Sequence, residues 1–176
     1  MHSPFVFNLV TKCFYNKANF AKYSQLKSLQ KPSVKKVKLI FRITDYFKPN
    51  QILTIGKSNS FLISPLLLGS HNAQHTSVET KSDLNQLLTK KPIFDLIFFE
   101  KDDNQIPFLE VFELLLPTTN NNTIWIFNDI YCNSETQKYW KTIQNHPKVT
   151  VTIDIFLFGL VFFRTEQLKE HFTIRT

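Results

Sequence analysis

The sequence predicts an α/β fold: a parallel sheet covered by helices on both faces and finished by an antiparallel hairpin. Three observations point to it. After Pro49, short apolar runs alternate with helix-length amphipathic segments, the rhythm of strand–helix–strand units. The runs are nearly continuous rather than alternating, as in strands buried on both faces. Near the C-terminus, apolar stretches over 149–158 and 160–164 are separated by little more than Gly159. Strands so joined must pair antiparallel, because a parallel return takes about a dozen residues or more.

The first segment reads as a helix. Ser3 suits an N-cap and Pro4 the first helical position. Phe5, Leu9 and Cys13, with Val6, Val10 and Phe14 beside them, form a broad apolar face at four-residue spacing. A polar stretch with Lys17, Lys22 and Lys27 leads to Pro32. A second helix is expected over 34–47, with Val37, Ile40, Phe41, Thr44 and Phe47 on one side. Lys35, Lys38, Arg42 and Asp45 face away, and Pro49 ends it.

The first strand, Ile52-Leu53-Thr54-Ile55, stops at Gly56. Further strands are expected over 76–79, 94–99 and 123–127, with helices over 61–69, 82–90, 106–116 and 134–145. The right-handed crossover rule arranges these as a doubly wound, Rossmann-like sheet.

Composition narrows the function classes. Two cysteines, Cys13 and Cys132, build no disulfide framework and have no CxxC spacing, which excludes zinc-ribbon and thioredoxin-like readings. No apolar run approaches the roughly 20 residues of a membrane-spanning helix. The N-terminus has no basic region followed by an apolar core, so a cytoplasmic protein without membrane association is expected. No Gly-x-Ser-x-Gly elbow is present. His71 and His75 fall four apart in an expected loop with no intervening Glu of the zincin kind, and His146-Pro147 reads as a helix end.

Charge is unevenly spread. Residues 1–48 hold ten basic residues and one acid, Asp45, a net charge of +9. Residues 49–176 hold eleven basic residues and thirteen acids, a net charge of −2. The whole excess of +7 therefore belongs to the first quarter of the chain. Such a segment suits phosphate contacts, but only three of the 21 basic residues are Arg, and amphipathic helices ordinarily expose Lys.

Several segments, in order, carry a family resemblance. They are Tyr46-Phe47-Lys48-Pro49, Ile52-Leu53-Thr54-Ile55-Gly56, Val78-Glu79, Asp95-Leu96-Ile97-Phe98-Phe99-Glu100 and Ile126-Phe127-Asn128-Asp129-Ile130-Tyr131. His146-Pro147-Lys148-Val149 through Phe163-Arg164 closes the series. With its terminal hairpin, this resembles the class I S-adenosylmethionine-dependent methyltransferases, in particular small bacterial O-methyltransferase-like proteins. The resemblance implies a helical cap at 1–48, a Rossmann-like domain at 49–176 and S-adenosylmethionine as cofactor. It also implies a small-molecule methyl acceptor and a homodimer formed through the N-terminal helices.

The same resemblance assigns candidate cofactor residues. In that family the first strand ends in Glu/Asp-x-Gly-x-x-x-Gly, the acid holding the cofactor's amino group. The aligned residues here are Thr54, Gly56 and Ser60, with Lys57, Ser58 and Asn59 between. The acid is replaced, the second glycine is a serine, and Lys57 puts a cation where a sulfonium cofactor would lie. Glu79 stands 23 residues beyond Gly56, the position that accepts ribose hydroxyls, or else it is a solvated strand-end acid. Glu100 stands where the family has Asp. With Asn128 and Asp129 it forms a weak candidate set for a hard divalent metal, against an overall expectation of no metal.

Only 15 residues lie between Glu79 and Asp95, room for one helix but not for a strand between two. The usual third strand, whose surroundings wall the adenine ring, is therefore expected to be missing, giving the order 2-1-4-5-7-6. These readings together imply a methyltransferase-like protein with impaired or lost catalysis and weak or absent cofactor binding. Two alternatives stand beside it: an active O-methyltransferase on a small molecule, and a non-catalytic RNA-associated or protein-interaction module using the basic N-terminal arm.

Overall fold

The computed structural model describes residues 3–18, 21–26, 34–57, 60–70, 72–100 and 108–175. The chain divides into two compact units, one spanning Met1–Asn50 and Asn59–Ala73 and the other Gln51–Ser58 and Gln74–Arg175.

The first unit is helical. Helix α1 (Pro4–Leu9) opens with Pro4, and the Ser3 hydroxyl accepts from the Val6 amide at 3.3 Å. It runs into a π-helical segment, Val10–Phe14, instead of continuing as one α-helix. There the Tyr15 amide reaches back to the Val10 carbonyl at 2.9 Å, and Val10, Cys13 and Phe14 are all turned inward. After α2 (Tyr23–Leu26) come α3 (Val34–Phe47) and α4 (Ser60–Ser70). Tyr23, Leu26, Val37 and Phe41 form a small core with Leu68 against it, and the Tyr23 and Phe41 rings meet edge-on at 5.4 Å. Leu39, Ile43 and Lys36 of α3 are also buried, a wider inward surface than the single stripe its sequence suggests.

The second unit is a seven-stranded sheet in the order β2-β1-β3-β4-β6-β5-β7. Its strands are β1 (Gln51–Ile55), β2 (Gln74–Val78), β3 (Leu96–Phe99), β4 (Ile124–Asn128), β5 (Val151–Asp154), β6 (Phe158–Phe162) and β7 (Glu170–Thr173). Strands β2, β1, β3 and β4 are mutually parallel, and β6 pairs antiparallel with both β4 and β5. Asp95 anchors the heads of two strands: its carboxylate accepts from the Gln51 amide at 3.0 Å, while its own amide donates to the Gln51 carbonyl at 3.0 Å.

Helices α5 (Lys81–Leu88), α6 (Phe108–Leu115) and α7 (Ser134–Asn145) belong to this unit. Leu84, Phe112 and Trp140 from these helices join Leu53, Ile97, Trp125 and Val161 of the sheet in one apolar core. Residues of the opposite sheet face, among them Ile52, Leu96, Phe98, Ile126 and Leu160, are equally inaccessible. The continuous apolar runs follow from this double burial.

Between β2 and β3 the chain forms α5 and no strand, so the first six positions of the sheet match the expected order with the third strand missing. Two features differ from expectation. A seventh strand, β7, extends the far edge parallel to β5. Its Glu-His-Phe-Thr sequence alternates between half-buried and exposed, so no apolar run marks it. Gly159 is not the hairpin connection but lies inside β6, opposite Phe127 and Asp154. The turn falls at 155–157, where Phe156 adopts a φ of 62° and its amide is accepted by the Asp154 carboxylate at 2.8 Å. A Cβ on Gly159 would lie 2.6 Å from Trp140 Cζ3, so the glycine is required by the approach of α7 and not by the turn.

Candidate functional site

Ligands of open α/β sheets bind beyond the carboxyl ends of the parallel strands. At that edge β1 ends in Gly56, whose φ of 101° is readily adopted by glycine and strained for residues with a Cβ. The Gly56 amide donates to the Val78 carbonyl at 2.9 Å, and the Glu100 amide donates to the Ile55 carbonyl at 2.9 Å. Two acids therefore flank the glycine: Glu79, exposed directly after β2, and Glu100, half-buried directly after β3.

Thr54 is fully buried, and its hydroxyl lies 3.0 Å from His75 Nε2. His75 is on β2 rather than in a loop, opposite Ile52 of β1. Desolvation holds its pKa below the usual imidazole value, so the ring is neutral at pH 7 and the contact is an uncharged hydrogen bond. Thr54 thus presents a short neutral group committed to a neighbouring strand. Lys57 is exposed, and Ser60 opens α4. Ser58 lies outside the described residues, as do His71 and residues 101–107.

Asn128, the last residue of β4, donates its side-chain amide to Glu100 Oε2 at 2.9 Å. Asp129 follows with a φ of 52°, its carbonyl accepting from the Cys132 amide at 3.0 Å. A hard divalent cation needs converging oxygens, whereas here Asn128 turns a donor toward the carboxylate. Among the described residues no group of three or more His, Cys, Asp or Glu is placed to hold a metal ion.

Sequence reasoning passed over a further group at this edge. β5 runs parallel to β4 through the intervening antiparallel β6, so Asp154 at its end is close to the loop after β4. The Tyr131 hydroxyl donates to Asp154 Oδ2, and the Tyr131 and Phe156 rings stack at 6.1 Å. The hydrogen bond to Asp154, with burial second, pushes the Tyr131 pKa up to about 12. A raised folded-state pKa means stabilisation that is complete below the ordinary tyrosine value of about 10 and fades as pH rises from there to about 12. In an ultraviolet titration, Tyr131 is expected to ionise well above the ordinary tyrosine range, and Tyr131→Phe to remove that late step. A Tyr131→Phe titration curve that overlays the parent's at high pH would refute the assignment.

No protein-family model matches the sequence, and no curated protein matches it. Solved structures do. A methyltransferase from Podospora anserina bound to S-adenosylhomocysteine (SAH) aligns over 93% of this chain and 97% of its own, with a TM-score of 0.62 and 12% identity. An O-methyltransferase from Bacillus cereus in complex with SAH aligns over 89% and 96%, with a TM-score of 0.59 and 13% identity. An O-methyltransferase of Streptomyces achromogenes involved in tomaymycin synthesis, in complex with S-adenosylmethionine (SAM), aligns over 90% and 95%, with a TM-score of 0.57 and 12% identity. The fold is that of the class I SAM-dependent methyltransferases.

Gly56 supplies the permissive turn, and Glu79 is an exposed acid beside it. No carboxylate stands at Thr54, and α5 follows β2 with no strand or helix interposed before β3. Among the described residues no helix is long and apolar enough to cross a membrane.

Proposed function

We propose that this chain is a methyltransferase-like protein with impaired or lost methyl transfer, binding SAM weakly or not at all. The observation that carries this reading is Thr54: a buried hydroxyl bonded to His75 replaces the carboxylate that would hold the cofactor's amino group. Exchanging an ionic hydrogen bond for none at that point costs about 1.5–3 kcal/mol, roughly a tenfold to hundredfold loss of affinity. The missing third strand removes adenine contacts as well, and Lys57 opposes a sulfonium. The fold's retention of Gly56 and Glu79 is then inherited architecture.

Calorimetric titration of the full chain with SAM and with SAH tests this. Binding weaker than millimolar is expected for both, and a submillimolar dissociation constant for either would overturn the reading. A second reading, an active O-methyltransferase on a small molecule, is favoured by the two acids that flank Gly56, and the same titration decides between them.

A further inference from the structure

The helical unit contains a cavity of about 450 Å³ lined by Phe14, Tyr15, Asn16, Lys17, Ala18, Tyr23, Lys38 and Arg42. Its lining holds three cationic side chains and no carboxylate among the described residues. We propose that this cavity is a binding site for a small phosphomonoester bearing an aromatic ring.

The local structure builds the site from two directions. Lys38 and Arg42 are four residues apart on α3, so one helical face presents both to the cavity. The Arg42 guanidinium donates from Nη2 to the Phe14 carbonyl at 3.0 Å, and it lies beside the Tyr23 hydroxyl. Its Nε is buried without a hydrogen-bond partner among the described residues. The opposite wall is the end of the π-helical segment and the turn after it, which Asn16 shapes by accepting from the Ala18 amide at 2.9 Å. π-helical segments often accompany functional sites, and this one delivers Phe14 and Tyr15 to the cavity wall.

Charge and shape then select the ligand class. Lys38 Nζ sits 4.8 Å from the centroid of the Tyr23 ring, a cation–π contact that fixes the ammonium without neutralising it. Converging Lys and Arg donors match a dianionic phosphate better than a neutral group. Phe14, Tyr15 and Tyr23 line the cavity with aromatic rings, apolar walls suited to an aryl group. The volume falls within the range of about 300–1,000 Å³ typical of small-molecule sites. It is more than a bare phosphate fills.

The test uses phenyl phosphate, inorganic phosphate and phenol on the full chain, followed by calorimetry and amide chemical shifts. Phenyl phosphate is expected to bind more tightly than inorganic phosphate, with shifts centred on residues 14–18, 23 and 38–42, and phenol to bind far more weakly. Lys38→Gln and Lys17→Gln should each weaken phenyl phosphate by several-fold to about tenfold, the loss of one charge-assisted contact, while circular dichroism stays unchanged. Phenol binding as tightly as phenyl phosphate would overturn the proposal, as would unaltered affinity in both lysine variants. So would a short RNA oligonucleotide that binds through these lysines when phenyl phosphate does not, since the cations would then serve a polyanion's backbone. The cofactor titration is independent of all these outcomes.

Discussion

Trp125→Ala is expected to lower the free energy of unfolding by about 3–5 kcal/mol, a large share of a single domain's stability. Trp125 is the second residue of β4, which pairs with β3 on one side and β6 on the other. Its side chain is fully buried. Ring centroids of Phe163, Phe112, Phe99 and Phe127 lie 4.9, 5.1, 5.3 and 6.3 Å away. Truncation to a methyl therefore removes transfer energy and leaves a cavity lined by rings of β3, α6, β4 itself and the residue after β6, which cannot close together. Trp125→Phe distinguishes packing from polarity. The indole Nε1 is buried without a hydrogen-bond partner among the described residues, so replacing it by an apolar ring removes an unsatisfied donor. The loss in Trp125→Phe should be about 1.5 kcal/mol or less, the usual bound for a near-isosteric core change. Guanidinium unfolding followed by the fluorescence of Trp140 reads both variants. Trp125→Ala within about 1 kcal/mol of the parent would contradict this account.

The sheet was legible because its signals are hydrophobic and periodic. Leu96-Ile97-Phe98-Phe99 and Ile124-Trp125-Ile126-Phe127 are buried on both faces, and uninterrupted apolar runs of that length have few other homes. The missing third strand was legible from counting residues alone. Less visible were features decided by contacts between distant segments. β7 is polar and joins an edge, so its pairing with β5 left no apolar pattern. Lys17 read as part of a polar stretch, and Lys38 and Arg42 as an outward helix face, because nothing at these positions announces that they line one cavity. Gly56, Glu79 and Glu100 were singled out through the family resemblance, and they follow the neighbouring strands β1, β2 and β3. That Thr54 is bonded to His75 was hidden, since it depends on the register of β1 with β2. Tyr131 was likewise overlooked, because its partner Asp154 is 23 residues away.

Glycines show the same limit, and one of them yields the second large effect. Gly56 is required by its φ and Gly159 by an indole, but Gly69 faces backbone. A Cβ at Gly69 would lie 2.0 Å from Thr44 Oγ1, 2.6 Å from the Phe41 carbonyl oxygen and 3.0 Å from the Asp45 amide nitrogen. Gly69→Ala is therefore expected to destabilise the chain by about 3 kcal/mol, at the upper end for overpacking. The alanine does favour helix formation, but by at most about 1 kcal/mol and less in the last turn of α4. Overpacking wins because the obstacle cannot turn aside. Thr44 Oγ1 is tied to the Ile40 and Phe41 carbonyls at 3.1 and 3.0 Å, and the Phe41 carbonyl is part of α3 itself. Combining Gly69→Ala with Thr44→Ala separates the two obstacles. It removes the 2.0 Å approach and leaves the 2.6 Å one, so the double variant should show less damage from the glycine change than the parent background does. Gly69→Ala at or above parental stability in equilibrium unfolding would mean that α3 and α4 are not packed backbone to backbone. A double variant showing no coupling would place the whole cost on the Phe41 carbonyl, with Thr44 free to adjust.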